Sequence, residues 1–262
     1  MRLSKIIKLL EEKFPVKNAE EWDNVGLLVG DRKQEIKKLQ ISLDITEKVI
    51  EKAIEEKVDL IISHHPFIFG SIKKINTDSL VGRKILKLIS NNISVYTLHT
   101  NLDASLGGLN DLLAEKLKLT DGKIIDSKID GEEISGIGRY FRMESKIKLT
   151  KFIENLKFLL SLENVIVSGK TIETKKISKI AIVNGSGSNY WRKAKSMGAE
   201  VLITGDLKYH EALDAKEEGL IMIDIGHYES ERFFYEILAK ELKGIEQLKI
   251  NIYNDEEVLK IY

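Results

Sequence analysis

The sequence predicts an α/β protein made of two related α/β domains with mainly parallel sheets. Two observations carry this expectation. Short apolar runs alternate with amphipathic stretches at helical spacing in the first hundred residues. A second series of the same kind recurs from about residue 179. At 262 residues the chain has room for one to two domains and a sizeable core.

The opening segment places Leu3, Ile6, Ile7, Leu10 and Phe14 on one helical face and ends before Pro15. EEWDNVGLLVGD (20–31) reads as a loop or strand edge. LQISLD (39–44) reads as a short strand, with Asp44 the expected cap of the next helix and Glu47 its capping-box partner. That helix sets Val49, Ile50, Ala53 and Ile54 on one face. VDLIIS (58–63) is apolar on both faces and is expected at the centre of a parallel sheet. A helix near 79–91 and a strand at 93–98 follow. LGGLNDLLAEKL (106–117) opens a further helix behind a glycine pair. The stretch 121–176 is more polar, with strands expected at 123–129 and 134–142 and a helix near 150–160.

In the second half, KIAIVN (179–184) matches LQISLD, AEVLITGD (199–206) matches VDLIISHH, and LIMIDIGH (220–227) matches ISVYTLHT. Helices are expected between them, around Trp191, Ala194 and Met197 and at about 209–217. Duplication accounts for this order; the competing account is that any two β–α–β units look alike. The expected division is 1–98 with 228–262 against 99–227.

Lys and Arg number 41, as do Asp and Glu, so the formal net charge is zero. A strongly basic nucleic-acid or acidic-membrane surface is disfavoured. The chain has no cysteine and five histidines. Disulfides, thiolate zinc sites, iron–sulfur clusters and thiol nucleophiles are thereby excluded, and any metal must be held by imidazole and carboxylate. Charges at Lys8, Glu11, Glu12 and Lys13 interrupt the N-terminal apolar positions, and no apolar run reaches membrane-spanning length. A cytoplasmic protein without membrane association is expected.

Ligands of parallel sheets collect at the carboxyl ends of strands. There the sequence places His64 and His65, then His99 and Asp103, then His227 with Glu231 four residues on. If a helix starts near Tyr228, His227 and Glu231 share a face. Imidazole and carboxylate together suit Zn, Fe, Mn, Ni or Co. His64, His65, Asp103, His227 and Glu231 are too many ligands for one open zinc site and about right for a pair of ions. Each residue also has a plainer reading. A histidine after a strand often bonds its own loop, Asp103 fits a turn or cap near Gly107, and His227 with Glu231 fits a surface pair.

Other motifs compete weakly. GSGS (185–188) fits a loop presenting backbone N–H groups to an anion, although no Walker lysine follows. GIGRYF (136–141) has only the start of a dinucleotide fingerprint, and no nucleophile elbow is present. Trp22 and Asp23 fit a loop near the cleft, or a buried Trp with a turn Asp. His210 fits a supporting or substrate-facing position.

The motifs EEWDNVGLLVGD, SHHPFIFG, HTNLDASLGGLNDLLAEKL, GIGR, VNGSGS, TGDLKYHEALDA and IDIGHYESE stand in this order over most of the chain. Together they resemble the GTP cyclohydrolase 1 type 2 homologue family, also named for an NGG-interacting factor. The resemblance implies a dinuclear metal site in the cleft between two α/β domains, with ligands at His64, His65, Asp103, His227 and Glu231. It implies a ring-shaped homohexamer, a trimer of dimers. Tyr209 stands where many relatives have a second histidine beside His210. The family name implies hydrolysis of a nucleotide by a metal-activated hydroxide, with Glu231 or His99 moving protons. The alternatives are a metal-delivery or scaffold protein for cofactor assembly, and, least favoured, a nucleic-acid-binding ring.

Overall fold

The structure is a computed structural model and describes residues 1–245, 248–253 and 258–259. The chain forms two compact units, Met1–Ser105 with Phe234–Tyr262, and Leu106–Phe233.

The first unit opens with α1 (Leu3–Lys13), whose Leu3, Ile6, Ile7 and Leu10 are buried. There follow β1 (Gly26–Val29), β2 (Lys38–Ser42), α2 (Glu47–Glu55), β3 (Leu60–Ser63), α3 (Leu80–Ser90), β4 (Ser94–Thr97) and the short α4 (Thr100–Ala104). Strands β2, β3 and β4 are parallel neighbours, with Ile41, Ile62 and Tyr96 in register. β1 closes one edge, antiparallel to β4. β3 is buried at every position, as its unbroken apolar run requires. One core cluster joins Val49, Ile50 and Ala53 of α2, Ile85 and Leu88 of α3, and Ile61 and Val95 of the sheet.

The second unit begins with α5 (Leu109–Lys116), then β5 (Lys123–Asp130), β6 (Glu133–Lys148), α6 (Leu149–Leu160), β7 (Ile166–Ser168) and β8 (Lys176–Ile182). It continues with α7 (Trp191–Ser196), β9 (Val201–Thr204), α8 (Tyr209–Glu217), β10 (Ile221–Asp224) and α9 (His227–Glu231). Its sheet runs β5-β6-β8-β9-β10-β7. β8, β9 and β10 are parallel, and β7 is antiparallel to β10. Phe152, Leu156 and Leu160 of α6 pack on Ile180, Ile182, Ile203 and Ile223. Burying each such aliphatic side chain contributes about 1.5–3 kcal/mol. The chain then returns to the first unit as α10 (Phe234–Glu241) and β11 (Lys249–Ile252), the latter parallel to β2.

The expected duplication is visible in the topology. Each unit contains helix, antiparallel edge strand, then three parallel strands joined by two helices, in the same sheet order. The expected cap of α2 is corrected. Thr46, not Asp44, is the N-cap, its Oγ1 accepting from the Val49 N–H at 3.1 Å. Glu47 is therefore the first helical residue and cannot fill the third-position role of a capping box. The Asp44 carboxylate is engaged by His65 instead. The apolar pattern does not mark β7, α10 or β11, and β6 runs past 142 through an irregularity between Arg142 and Ile147.

Candidate metal centre

In the first unit, parallel pairing brings His64 and His65, one and two residues beyond β3, beside the end of β4. The Leu98 N–H donates to Ser63 O at 2.9 Å, and Ser63 Oγ and Thr97 Oγ1 lie 2.9 Å apart. His99 follows at the mouth of α4. His64, His65 and His99 each offer a ring nitrogen, and these three atoms lie within 4.8 Å of one another. Their ring centroids are 5.0–5.6 Å apart. Asp103, on α4, sets Oδ1 3.8 Å from His64 Nε2.

Each of these histidines has its Nδ1 committed to an acceptor. His64 Nδ1 donates to Leu98 O at 2.8 Å. His65 Nδ1 donates to Asp44 Oδ1 at 2.8 Å, and His99 Nδ1 to Asp23 Oδ1 at 2.9 Å. A carbonyl or carboxylate acceptor fixes the proton on Nδ1, so in the neutral ring Nε2 carries the lone pair. The His64 lone pair and the Asp103 carboxylate then face each other beyond hydrogen-bond distance, an arrangement that favours a cation between them.

Hydrogen bonds at its start tie α4 to the rest of the unit. Asn101 Nδ2 donates to Phe14 O at 2.9 Å, and the His99 N–H donates to Asn101 Oδ1 at 3.0 Å. Asp23 also accepts from the Thr100 N–H at 3.0 Å and from the Thr100 hydroxyl. Burial pushes the Asp23 carboxyl upward, but the hydrogen bonds from His99 and Thr100 act against it and the carboxyl is held below its ordinary value.

In the second unit, His227 and Glu231 open and close α9, one turn apart on one face. His227 Nδ1 donates to Asp206 Oδ2 at 2.6 Å, and Nε2 lies 3.1 Å from Glu231 Oε2. His227 is thus set between two carboxylates, one within hydrogen-bond distance of each ring nitrogen. Glu231 is buried, and its Oε1 accepts from Asn184 Nδ2 at 3.2 Å. Asp206 adopts φ +49, a left-handed conformation that Asp tolerates better than most residues.

The GSGS segment departs from its expected role as an anion cradle. The Gly185 N–H donates to Ser230 Oγ at 2.8 Å, and the Gly187 N–H bonds Thr204 Oγ1 at 2.9 Å. Its glycines answer to packing. A Cβ on Gly185 would stand 2.2 Å from Glu231 Oε1, and one on Gly187 2.3 Å from Val183 Cγ1. Gly205 likewise lets the His227 backbone approach, since its Cβ would meet His227 N at 2.8 Å.

His210 lies exposed on α8, its ring beside that of Tyr209. It belongs to neither histidine–carboxylate group of the two units. Trp22 is exposed rather than buried, and its ring meets His99 edge-on at 6.1 Å. Sequence reasoning does not single out Asp206 or Asn184. The available signal is the polar residue at the end of each parallel strand, the same signal that marks the histidines.

An imidazole and carboxylate donor set without sulfur, with each Nδ1 partner assigned, fits a divalent ion of the Zn, Fe, Mn, Ni or Co type. No helix among the described residues is long and apolar enough to cross a membrane.

Comparison with known proteins identifies relatives that span almost the whole chain. A protein of Clostridium perfringens named GTP cyclohydrolase 1 type 2 homolog is 45% identical over 232 residues, covering 88% of this chain and 87% of the relative. NIF3-like protein 1 of Drosophila melanogaster is 33% identical over 248 residues, 92% of this chain and 83% of the relative. Among solved structures, the Staphylococcus aureus protein SA1388 superposes with TM-score 0.86 at 30% identity, covering 100% of this chain and 99% of that one. Reduced HcgD from Methanocaldococcus jannaschii gives TM-score 0.81 at 33% identity, covering 96% and 97%. The profile of the family described as Duf34/NIF3 (NGG1p interacting factor 3) matches residues 1–257, and the chain belongs to that family.

Proposed function

We propose that this protein is a dinuclear metal-dependent hydrolase acting on a nucleotide. The observation that carries the metal reading is the orientation of four histidines, each with Nδ1 bound to a carboxylate or carbonyl, which directs Nε2 of His64, His65 and His99 to act as a lone-pair donor and sets His227 Nε2 against the Glu231 carboxylate. His64, His65 and Asp103 from the first unit, with His227 and Glu231 from the second, would together hold two divalent ions. When bound, such ions act as Lewis acids and make water nucleophilic at neutral pH. His99, oriented by Asp23, and Glu231 are the groups assigned to proton movement. The name carried by the relatives supports a guanine nucleotide as substrate. Resemblance within the family supports a homohexamer built as three dimers, which light scattering tests by mass.

The experiment is measurement of formate and dihydroneopterin triphosphate released from GTP, on protein loaded in turn with Zn, Mn, Fe, Ni and Co and on chelator-treated protein. Release that requires metal is expected. Bound metal without turnover under any loading overturns the enzymatic part and favours metal delivery or scaffolding.

A further inference from the structure

We propose that Trp22 is the stacking platform for a planar heteroaromatic ring held beside the histidine cluster of the first unit. The inference rests on the reading of that cluster as a metal-dependent nucleotide site, and it names the residue on which the ring stacks. Trp22 is 66% exposed, whereas Trp191, the other tryptophan, is 4% exposed and bonds Glu211 through its indole nitrogen. An exposed indole beside a cluster of histidines offers a large amphipathic contact surface, with its ring nitrogen available to a polar partner.

Rigidity is evident in the loop's bonding. The Asp23 N–H closes a turn onto Glu20 O at 3.0 Å, and the Glu20 N–H donates to Thr100 Oγ1 at 2.9 Å. Asp23 is tied to His99 and Thr100, and Asn24 Nδ2 donates to Ile68 O at 3.0 Å. The backbone that carries the indole is thus ordered before any ligand arrives, which lowers the ordering cost of binding. Its ring stands at 77° to that of His99, which lies 5.2 and 5.6 Å from the rings of His64 and His65. A molecule whose reacting end is held at His64 and His65 therefore has an aromatic surface one ring away. A π-face accepts any base and gives affinity without hydrogen-bond readout.

The test is calorimetric titration of the metal-loaded full chain with guanosine 5′-monophosphate and, separately, ribose 5-phosphate, with indole fluorescence as a second readout in the wild type. Saturable quenching by the nucleotide is expected in the wild type. Trp22→Ala should weaken the nucleotide by about 10- to 100-fold, the range for loss of one base–aromatic stack. Trp22→Phe should restore most of the affinity, and ribose 5-phosphate should bind all three proteins alike. Equal nucleotide affinity in Trp22→Ala overturns the proposal, as does failure of the metal-loaded wild type to bind the nucleotide. A change of oligomeric mass in Trp22→Ala with unchanged nucleotide affinity would overturn it too, and would reassign the indole to a contact between copies. Trp22-dependent nucleotide binding with no formate release would instead remove only the hydrolase reading.

Discussion

The two units use one scaffold and load it differently. In both, the third parallel strand is followed by a histidine at the mouth of a short helix and an acidic residue four positions on: His99 and Asp103 after β4, His227 and Glu231 after β10. The preceding strand ends differ. β3 leads into His64 and His65, whereas β9 leads into Gly205 and Asp206. The aspartate that orients a histidine shifts with this change. In the first unit Asp44, beyond β2, orients His65 beyond the adjacent β3. In the second, Asp206 beyond β9 orients His227 beyond the adjacent β10. His99 takes its carboxylate from Asp23, ahead of β1, the strand that borders β4. A parallel pair of strand ends is therefore a device for holding one imidazole by one carboxylate. The duplicated fold supplies that device repeatedly, and the side chains at each end decide whether a strand contributes the imidazole or the carboxylate that holds it.

If this division of labour holds, ligands and orienters separate by size of effect. Glu231→Gln keeps the side-chain volume and removes the charge facing His227. It should cost more than about 100-fold in metal affinity, beyond the 10- to 100-fold typical of an orienting residue. His64→Ala should likewise lose bound metal while the far-ultraviolet circular dichroism is retained. Elemental analysis reads both; full metal occupancy in either variant would remove that residue from the ligand set. Asp206→Asn and Asp44→Asn should fall in the lower range, about 10- to 100-fold by competition with a chromophoric chelator. Orienter variants that lose metal as completely as Glu231→Gln would erase the distinction between the two classes.

Next in size is the packing that the second unit uses in place of extra histidines. Gly185 sits at φ +58, and an added methyl would press on the Glu231 carboxylate. Gly185→Ala should destabilise by about 1–3 kcal/mol, as overpacked sites do, and should also weaken metal binding. Calorimetry and chelator competition on one sample check both. A stability loss with unchanged metal affinity would show that Glu231 relocates without leaving its task.

Much of this is legible in the sequence because central parallel strands are continuous apolar runs. Leu60–Ser63 and Val201–Thr204 are buried at every position, and the residues after them stand out as polar. The edge strands are not legible. Ile166 is exposed at the start of β7. In β11 no in-and-out alternation is present: Lys249 and Ile252 are exposed and the two residues between them are half-buried. Such short segments gain their strand character from the neighbour they pair with. The roles of Asp44 and Asp206 are hidden for a related reason, since an aspartate before a helix looks like a cap until the adjacent strand end is known to carry a histidine. GSGS misleads because glycine serves both close anion approach and close side-chain packing, and only the position of Glu231 separates the two.

The smallest effect sharpens the correction at α2. Thr46 Oγ1 caps the helix, while Asp44 faces His65. Thr46→Ala should lower stability by about 1 kcal/mol through loss of the cap, with metal affinity unchanged because Thr46 bonds the helix and not the histidine. Asp44→Asn retains an oxygen that can accept from His65 but removes the negative charge that favours the Nδ1–H tautomer, so its main effect should fall on metal affinity. Paired thermal melts and chelator titrations of the two variants resolve the crossing. If Asp44→Asn instead costs as much stability as Thr46→Ala and leaves metal affinity intact, Asp44 is the cap that its position in the sequence implies, and the strand-end pairing in the first unit does not orient His65.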